Sequence, residues 1–174
     1  RTLEARAAVA GCDVGLVTMH MLGDSPATMQ ANPVYVDVVA EVGRFLMDSR
    51  QALLDAGVAP ERICLDPGFG FGKTLAHNLA LYCGIPAWAS VAPVLVGVSR
   101  KSMLGAITGQ PVERRLAASL AGALAGVQMG AIIVRVHDVP ETVQALAVWT
   151  AIGLPAAAGG FHIGDGHPGR PAKE

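Results

Sequence analysis

Residues 62–81 read RICLDPGFGFGKTLAHNLAL. Ile63, Cys64 and Leu65 form an unbroken apolar run, as in a strand buried on both faces of a parallel sheet. Asp66 closes the run. Glycines at 68, 70 and 72 then alternate with Phe69 and Phe71, and a helical pattern opens near Leu75. The stretch is one β-loop-α unit. Three more strand candidates share its character: VGLVTMH (14–20), PVLVGVS (93–99) and AIIVRVH (131–137). A helix follows each. Tyr35, Val38, Val42, Phe45, Leu46 and Leu53 make an apolar stripe at helical spacing. Shorter helices are predicted over about 75–83, about 114–129 and about 139–152. Asp138 and Glu141 around Val139-Pro140 predict a capped start for the last of these. Residues 78–93 read as irregular.

Four repeats of strand, loop and helix predict a parallel α/β architecture. A closed barrel of this kind needs eight. The chain opens at Arg1, within a pattern that reads as an amphipathic helix over RTLEARAAVAGC. The expectation is therefore half of a larger barrel over residues 1–153, the N-terminal half being absent. A small open doubly wound sheet is the alternative. Residues 154–174 are rich in Gly, Pro and Ala, show no period, and are expected to form a mobile tail. His162, Asp165 and His167 in that tail read as solvated residues rather than metal ligands.

Composition narrows the classes of function. The 174 residues are 52% hydrophobic and 16% charged, which argues against a disordered chain. A net charge of −1 without a basic block gives no sign of a nucleic-acid groove or a membrane surface patch. Residues 116–134 carry no charge, but the run is mostly Ala and Gly and turns β-branched after Gly130, so it reads as helix then strand rather than a membrane span. The three cysteines, Cys12, Cys64 and Cys83, form no CxxC pair, and a reducing cytoplasm is the expectation.

Polar residues gather where each strand ends: Met19-His20-Met21, Asp66, Ser99-Arg100-Lys101-Ser102, and Arg135 with His137 and Asp138. In parallel α/β folds ligands bind beyond the carboxyl ends of the strands. The glycine loop is no P-loop, because Pro67 stands where the first glycine must be; Lys73 likewise breaks the dinucleotide pattern. The glycines instead suit close approach of a flat ligand, with Phe69 and Phe71 as walls. Asp66 on a buried strand needs partners. A ligand offering two adjacent N–H groups, as an aminopyrimidinone edge does, satisfies it; so does an ion pair with Lys101 or Arg100. Arg135 and His137, two residues apart, share a strand face and suit an anion such as phosphate, or a structural tie to a neighbouring strand. His20 reads as structural and His77 as a helix-surface residue. Ala118, Gly122, Gly126 and Gly130 form a small-residue face that permits close approach of another helix or packing on the sheet.

Four segments together resemble the dihydropteroate synthase family: MHMLGDSPATMQ, LDPGFGFGKTLAHNLAL, LVGVSRKSMLG and RVHDVPETVQAL. Leu22 departs from the glutamine usual there. The resemblance covers about residues 1–150 and implies strands five to eight of a (β/α)8 barrel. It further implies condensation of 6-hydroxymethyl-7,8-dihydropterin diphosphate with p-aminobenzoate to dihydropteroate. By resemblance, Asp66 binds the pterin ring and Lys101 stands between pterin and p-aminobenzoate. Phe71, Lys101 and Ser102 flank the p-aminobenzoate pocket, Met19, Gly97 and Phe71 line the pterin pocket, and Asp66 and Lys101 are the catalytic residues. Arg135 and His137 hold the diphosphate. A Mg²⁺ bound by residues outside this chain, and a homodimer of the complete enzyme, are implied too. A pterin-binding methyltransferase domain, or a half-barrel that binds without catalysing, are the alternatives.

Overall fold

The computed structural model describes residues 8–23 and 33–153. Within them the order is β1 (Leu16–Met19), α1 (Val38–Asp55), β2 (Ile63–Asp66), α2 (Leu75–Ala89), β3 (Leu95–Val96), α3 (Ser102–Thr108), α4 (Leu116–Gln128), β4 (Ile133–Val134) and α5 (Val139–Ala151). Residues 8–10 are helical; the rest of the helix expected over the first twelve residues, and the expected tail 154–174, lie outside the described residues.

The architecture is α/β with parallel strands. β1 pairs with β2, Leu16 opposite Ile63 through Met19 opposite Asp66. β3 pairs with β4, Leu95 opposite Ile133. A single parallel bridge between Leu65 and Val94 joins the two pairs, so the spatial order is β1-β2-β3-β4. β3 and β4 are shorter than the predicted 93–99 and 131–137. Pro93 has no N–H to give, and only its carbonyl serves the row, accepting from Leu65 N. Beyond the ladder, Arg135 N still donates to Val96 O, so the chain stays in register past the strand end.

Burial also corrects the expectation of four strands covered on both faces. β2 and β3 are buried throughout. β1 and β4 lie at the two ends of the row, and Val17 and Ile133 are 49% and 39% exposed.

α1 starts because Asp37 accepts hydrogen bonds from the Val39 and Ala40 amides, both at 3.0 Å. Glu41 reaches back to the Val36 and Asp37 amides, so both ends of the first turn are satisfied. The predicted stripe is its buried face: Val38, Val42 and Leu46 enter the core. α2 opens on a reciprocal box between Thr74 and His77, which gives His77 a capping role rather than a mere place on the surface.

α2 then runs to Ala89, through Gly84 and Pro86, where the sequence predicted an end near residue 83. Ile85 and Trp88 explain the continuation. Both are buried, and the Trp88 ring fills the space that side chains at Gly43 and Gly84 would occupy. Packing overrides the two helix breakers. α3 was not predicted; seven residues show too little of a period. Its end is marked by Gly109 in the left-handed region with Pro111 beyond. Asp138 does stand at the start of α5, but its carboxylate caps nothing and is drawn to Arg100 instead. α4 ends at Gln128 before Gly130, and no helix among the described residues is long and apolar enough to cross a membrane.

The core is Val42, Leu46, Leu65, Phe69, Leu81, Ile85, Val94, Val96 and Val98 with their neighbours, lying between the strands and α1, α2 and α4. The small face of α4 belongs to it: an added Cβ at Gly122 would stand 2.8 Å from Val98, and one at Gly126 3.1 Å from Val96. That face packs on the strands.

Candidate active site

The ends of β2, β3 and β4 set the site. Asp66, the last residue of β2, is 1% exposed. Its Oδ1 accepts from the Gly68 amide at 2.8 Å, and its Oδ2 faces Arg135 Nη2 at 3.3 Å. The ion-pair partner is thus Arg135, not Lys101 or Arg100 as the sequence suggested. β3 lies between the two in the row, and Gly97 just beyond it leaves the space that Arg135 crosses: a Cβ there would be 3.1 Å from the guanidinium. Burial pushes the Asp66 carboxyl above its ordinary range. The Gly68 amide, Arg135, Lys101 and Lys73 oppose that push.

The loop after Asp66 depends on one glycine in particular. Gly68 has φ +70°, and a Cβ on it would lie 1.8 Å from the carbonyl oxygen of His20. Only glycine lets the loop turn this close to the end of β1, where Met19 stands beside Gly68. The two phenylalanines do not act alike. Phe69 is buried in the core against Tyr82, ring centroids 4.9 Å apart, and is no wall of a pocket. Phe71 is half-buried under Lys101, whose ammonium sits 4.6 Å above its ring.

Lys101 itself passes along Gly70 and donates to the carbonyl of Phe69. Burial pulls its ammonium down to about 8, while Asp66 raises it and Arg135 lowers it further. The turn that delivers Lys101 is held at three points, two at the start of α4 and one at the start of α5. Arg100 adopts φ +58°, unusual for a residue with a side chain. Its amide donates to Ser119 Oγ at 2.9 Å, and its carbonyl accepts from Arg115 at 3.0 Å. Its guanidinium pairs with both carboxylate oxygens of Asp138. His137 joins this rim through Ser99, Nδ1 to Oγ 3.0 Å, and Ser102 is exposed as the first residue of α3.

Contacts therefore bring Asp66, Arg135, Gly97, Lys101 and Phe71 into one cluster. Met19 borders it through Gly68; His137 and Ser102 stand on the rim beside Ser99 and Lys101. Sequence reasoning passed over Lys73 and Asn78. Both are buried, and Asn78 accepts from the Gly70 amide at 2.7 Å while donating to Thr74 O at 2.7 Å. Asn78, four residues after Thr74, was legible only as one more residue of a helix. Among the described residues no group of three or more His, Cys, Asp or Glu side chains is arranged to hold a metal ion.

A parallel α/β sheet with this rim is matched by one family model, Pterin binding enzyme, over residues 1–137. The chain belongs to the pterin-binding enzyme family. Its relatives include bacterial dihydropteroate synthases and plant folate synthesis bifunctional proteins. It is 51% identical over 147 residues to the dihydropteroate synthase of Neisseria meningitidis serogroup B, covering 82% of this chain and 51% of the relative. It superposes with TM-score 0.79 and 45% identity on the enzyme of Xanthomonas albilineans in complex with 7,8-dihydropteroate, covering 88% of this chain and 56% of that one. With the Thermus thermophilus enzyme in complex with 4-aminobenzoate the TM-score is 0.83 at 43% identity, over 88% and 62% of the two chains. The chain spans about half the length of the curated relatives it matches.

Proposed function

We propose that the chain supplies part of a dihydropteroate synthase site of folate synthesis, its strands corresponding to strands five to eight of a (β/α)8 barrel. The observation that carries this reading is the Asp66 carboxylate. It is buried, held at one lone pair of each oxygen by Gly68 and Arg135, and has one acceptor position left on each. The two adjacent N–H groups on the aminopyrimidinone edge of a pterin would take those positions. The likeness to enzymes complexed with 7,8-dihydropteroate and with 4-aminobenzoate supports the choice of substrates.

In the reaction, the bond between the pterin methylene carbon and the diphosphate oxygen breaks, and diphosphate leaves with the electron pair. The p-aminobenzoate nitrogen attacks that carbon and gives up a proton to solvent water. No protein nucleophile is required. Asp66 fixes the pterin, with Met19 and Gly97 as walls. Lys101 spends one of its donors on Phe69 O and has others for substrate. The Phe71 ring offers a face to the aminobenzoate ring, and Ser102 a hydroxyl to its carboxylate. Arg135 and His137 receive the diphosphate. Positioning and charge compensation supply the catalysis. The Mg²⁺ implied by the family resemblance does not fit the described residues of this chain, and no step above runs through it. The complete enzyme is proposed to be a cytoplasmic homodimer, with an interface away from the Gly122 face of α4.

Calorimetry of the chain with 6-hydroxymethylpterin, and separately with p-aminobenzoate, tests the reading. Pterin binding that is lost in Asp66→Ala is expected. Wild-type binding that survives that substitution unchanged would overturn the assignment of Asp66.

A further inference from the structure

Directly behind the candidate site lies a buried cation that the proposed reaction does not use. Lys73 is 5% exposed. Its ammonium meets three acceptors: His20 Nδ1 at 2.9 Å, Gly68 O at 3.0 Å and Phe71 O at 3.1 Å. An ammonium has three N–H donors and no acceptor, so all three can be used here. With Lys73 donating, His20 Nδ1 is the acceptor, which puts the proton of a neutral imidazole on Nε2.

Each partner is tied in turn to the site. Gly68 gives its amide to Asp66 Oδ1, and Phe71 carries the ring under Lys101. The amide of His20 donates to the Asp66 carbonyl at 3.1 Å. One side chain therefore joins the end of β1 to both halves of the glycine loop. Burying a lysine is costly, and an apolar residue of similar volume generally serves a core better. Here its acceptors include two main-chain carbonyls of the loop, which a methionine in its place would leave without that donor.

We propose that Lys73 is the positioning residue of this site: its ammonium fastens the Gly68–Phe71 loop to the end of β1 and so fixes the Asp66 carboxylate and the Phe71 ring for a flat, pterin-like ligand. The proposal rests on the reading of Asp66 as the pterin-binding carboxylate. Electrostatics agree with it. Burial pulls the Lys73 ammonium down to about 8 and Asp66 raises it, while Lys73 in turn helps to hold the Asp66 carboxyl down.

The test compares Lys73→Met with the wild-type 174-residue chain by two measurements that need no ligand. The first is carboxyl carbon NMR of Asp66 across pH. The second is amide hydrogen exchange of Gly68, Gly70 and Phe71, with Val42 and Leu46 of α1 as internal controls. In Lys73→Met the Asp66 titration is expected to move upward. Exchange of the loop amides should quicken about tenfold or more while the controls hold. A folded variant with an unmoved Asp66 titration and unchanged loop exchange overturns the proposal. If Lys73→Met does not fold, the wild type decides. Nitrogen NMR should show the Lys73 ammonium protons exchanging far more slowly than those of an exposed lysine, and equal exchange overturns the proposal. Calorimetry with 6-hydroxymethylpterin separates the two readings. If the wild type binds no pterin while Lys73→Met still shifts Asp66, the functional reading fails and the positioning role stands.

Discussion

The guanidinium of Arg135 reaches Asp66 across Gly97, Nη2 to Oδ2 3.3 Å, so that the residue just past β4 and the last residue of β2 meet over the end of β3. The arginine side chain is 55% exposed while the carboxylate is buried. The carboxylate is thus held in place from within the fold, while the guanidinium keeps an exposed face.

That asymmetry separates two substitutions. Asp66→Ala removes the acceptors of the pterin edge, and each unmet polar group costs about 1–3 kcal/mol, or about 5-fold to 150-fold in affinity. Arg135→Ala should cost more for the pterin diphosphate than for the bare pterin. It should also weaken the bare pterin slightly, because Asp66 loses a donor. Calorimetry with both ligands checks the order. An equal loss of the bare pterin in the two variants contradicts the assignment.

Lys101 gives the site a pH dependence. Its ammonium titrates at about 8 rather than 10.5, so it is charged below that value and neutral above it. Attraction for an anionic ligand such as p-aminobenzoate is therefore present below pH about 8 and falls away as pH rises through it. For stability the sign is opposite. The native state resists the buried charge, and its penalty is lifted between pH about 8 and 10.5, where the unfolded chain is still protonated. Lys73 adds a penalty of the same sign. Affinity for p-aminobenzoate measured from pH 6.5 to pH 9.5, roughly 1.5 units on either side of 8, should fall in the wild type and stay flat in Lys101→Met. A wild-type affinity that does not change across that range counts against Lys101.

What could be read from the sequence follows physical lines. β2 and β3 announce themselves as unbroken apolar runs because they are covered on both faces, and Asp66 and Arg135 stand out because a charge closing such a run is rare. Thr74 and Asp37 start helices by local bonds that need no tertiary knowledge, although the sequence reading picked out a cap only at Asp138. The continuation of α2 past Pro86 was hidden, since it depends on Trp88 finding its space beside Gly43, more than forty positions away. The same holds for Asp138, which suits a cap by position but is claimed by Arg100, and for Lys73, whose acceptors come from two separate segments. The sequence made both Phe69 and Phe71 walls of a pocket; they differ because the loop turns Phe69 into the core and Phe71 outward under Lys101, and nothing local says which turns inward.

The small face of α4 allows a direct test of what it packs against. A Cβ at Gly122 would meet Val98 at 2.8 Å, and Tyr82 Oη donates to the Gly122 carbonyl at 3.1 Å. Gly122→Leu should therefore force the helix off the strands, at a cost of about 1–3 kcal/mol or more. A lowered melting temperature with no change in oligomeric state is the expected result, followed by thermal unfolding and sedimentation. Normal stability together with a lost oligomer would place the face in an interface between copies instead.

The two outer strands lead to the last prediction. Among the described residues β1 pairs only with β2 and β4 only with β3, leaving one edge of each without a strand neighbour. Unpaired edges invite association with other chains. Val17 on β1 and Ile133 on β4 are partly exposed, and Val14 and Ile132 beside them are as well. Apolar residues at both ends of one strand row make surfaces that monomers seldom keep bare. The candidate site also draws on three strand ends of a family of whose curated relatives this chain spans about half the length. Catalysis by positioning tolerates little looseness: a misplacement of about 1 Å can cost about 100-fold. The purified 174-residue chain is accordingly expected to associate in solution and to show no turnover with pterin diphosphate, p-aminobenzoate and Mg²⁺. Sedimentation and an assay of dihydropteroate formation measure both. A monomer that forms dihydropteroate at an appreciable rate would show that these strands need no further partner.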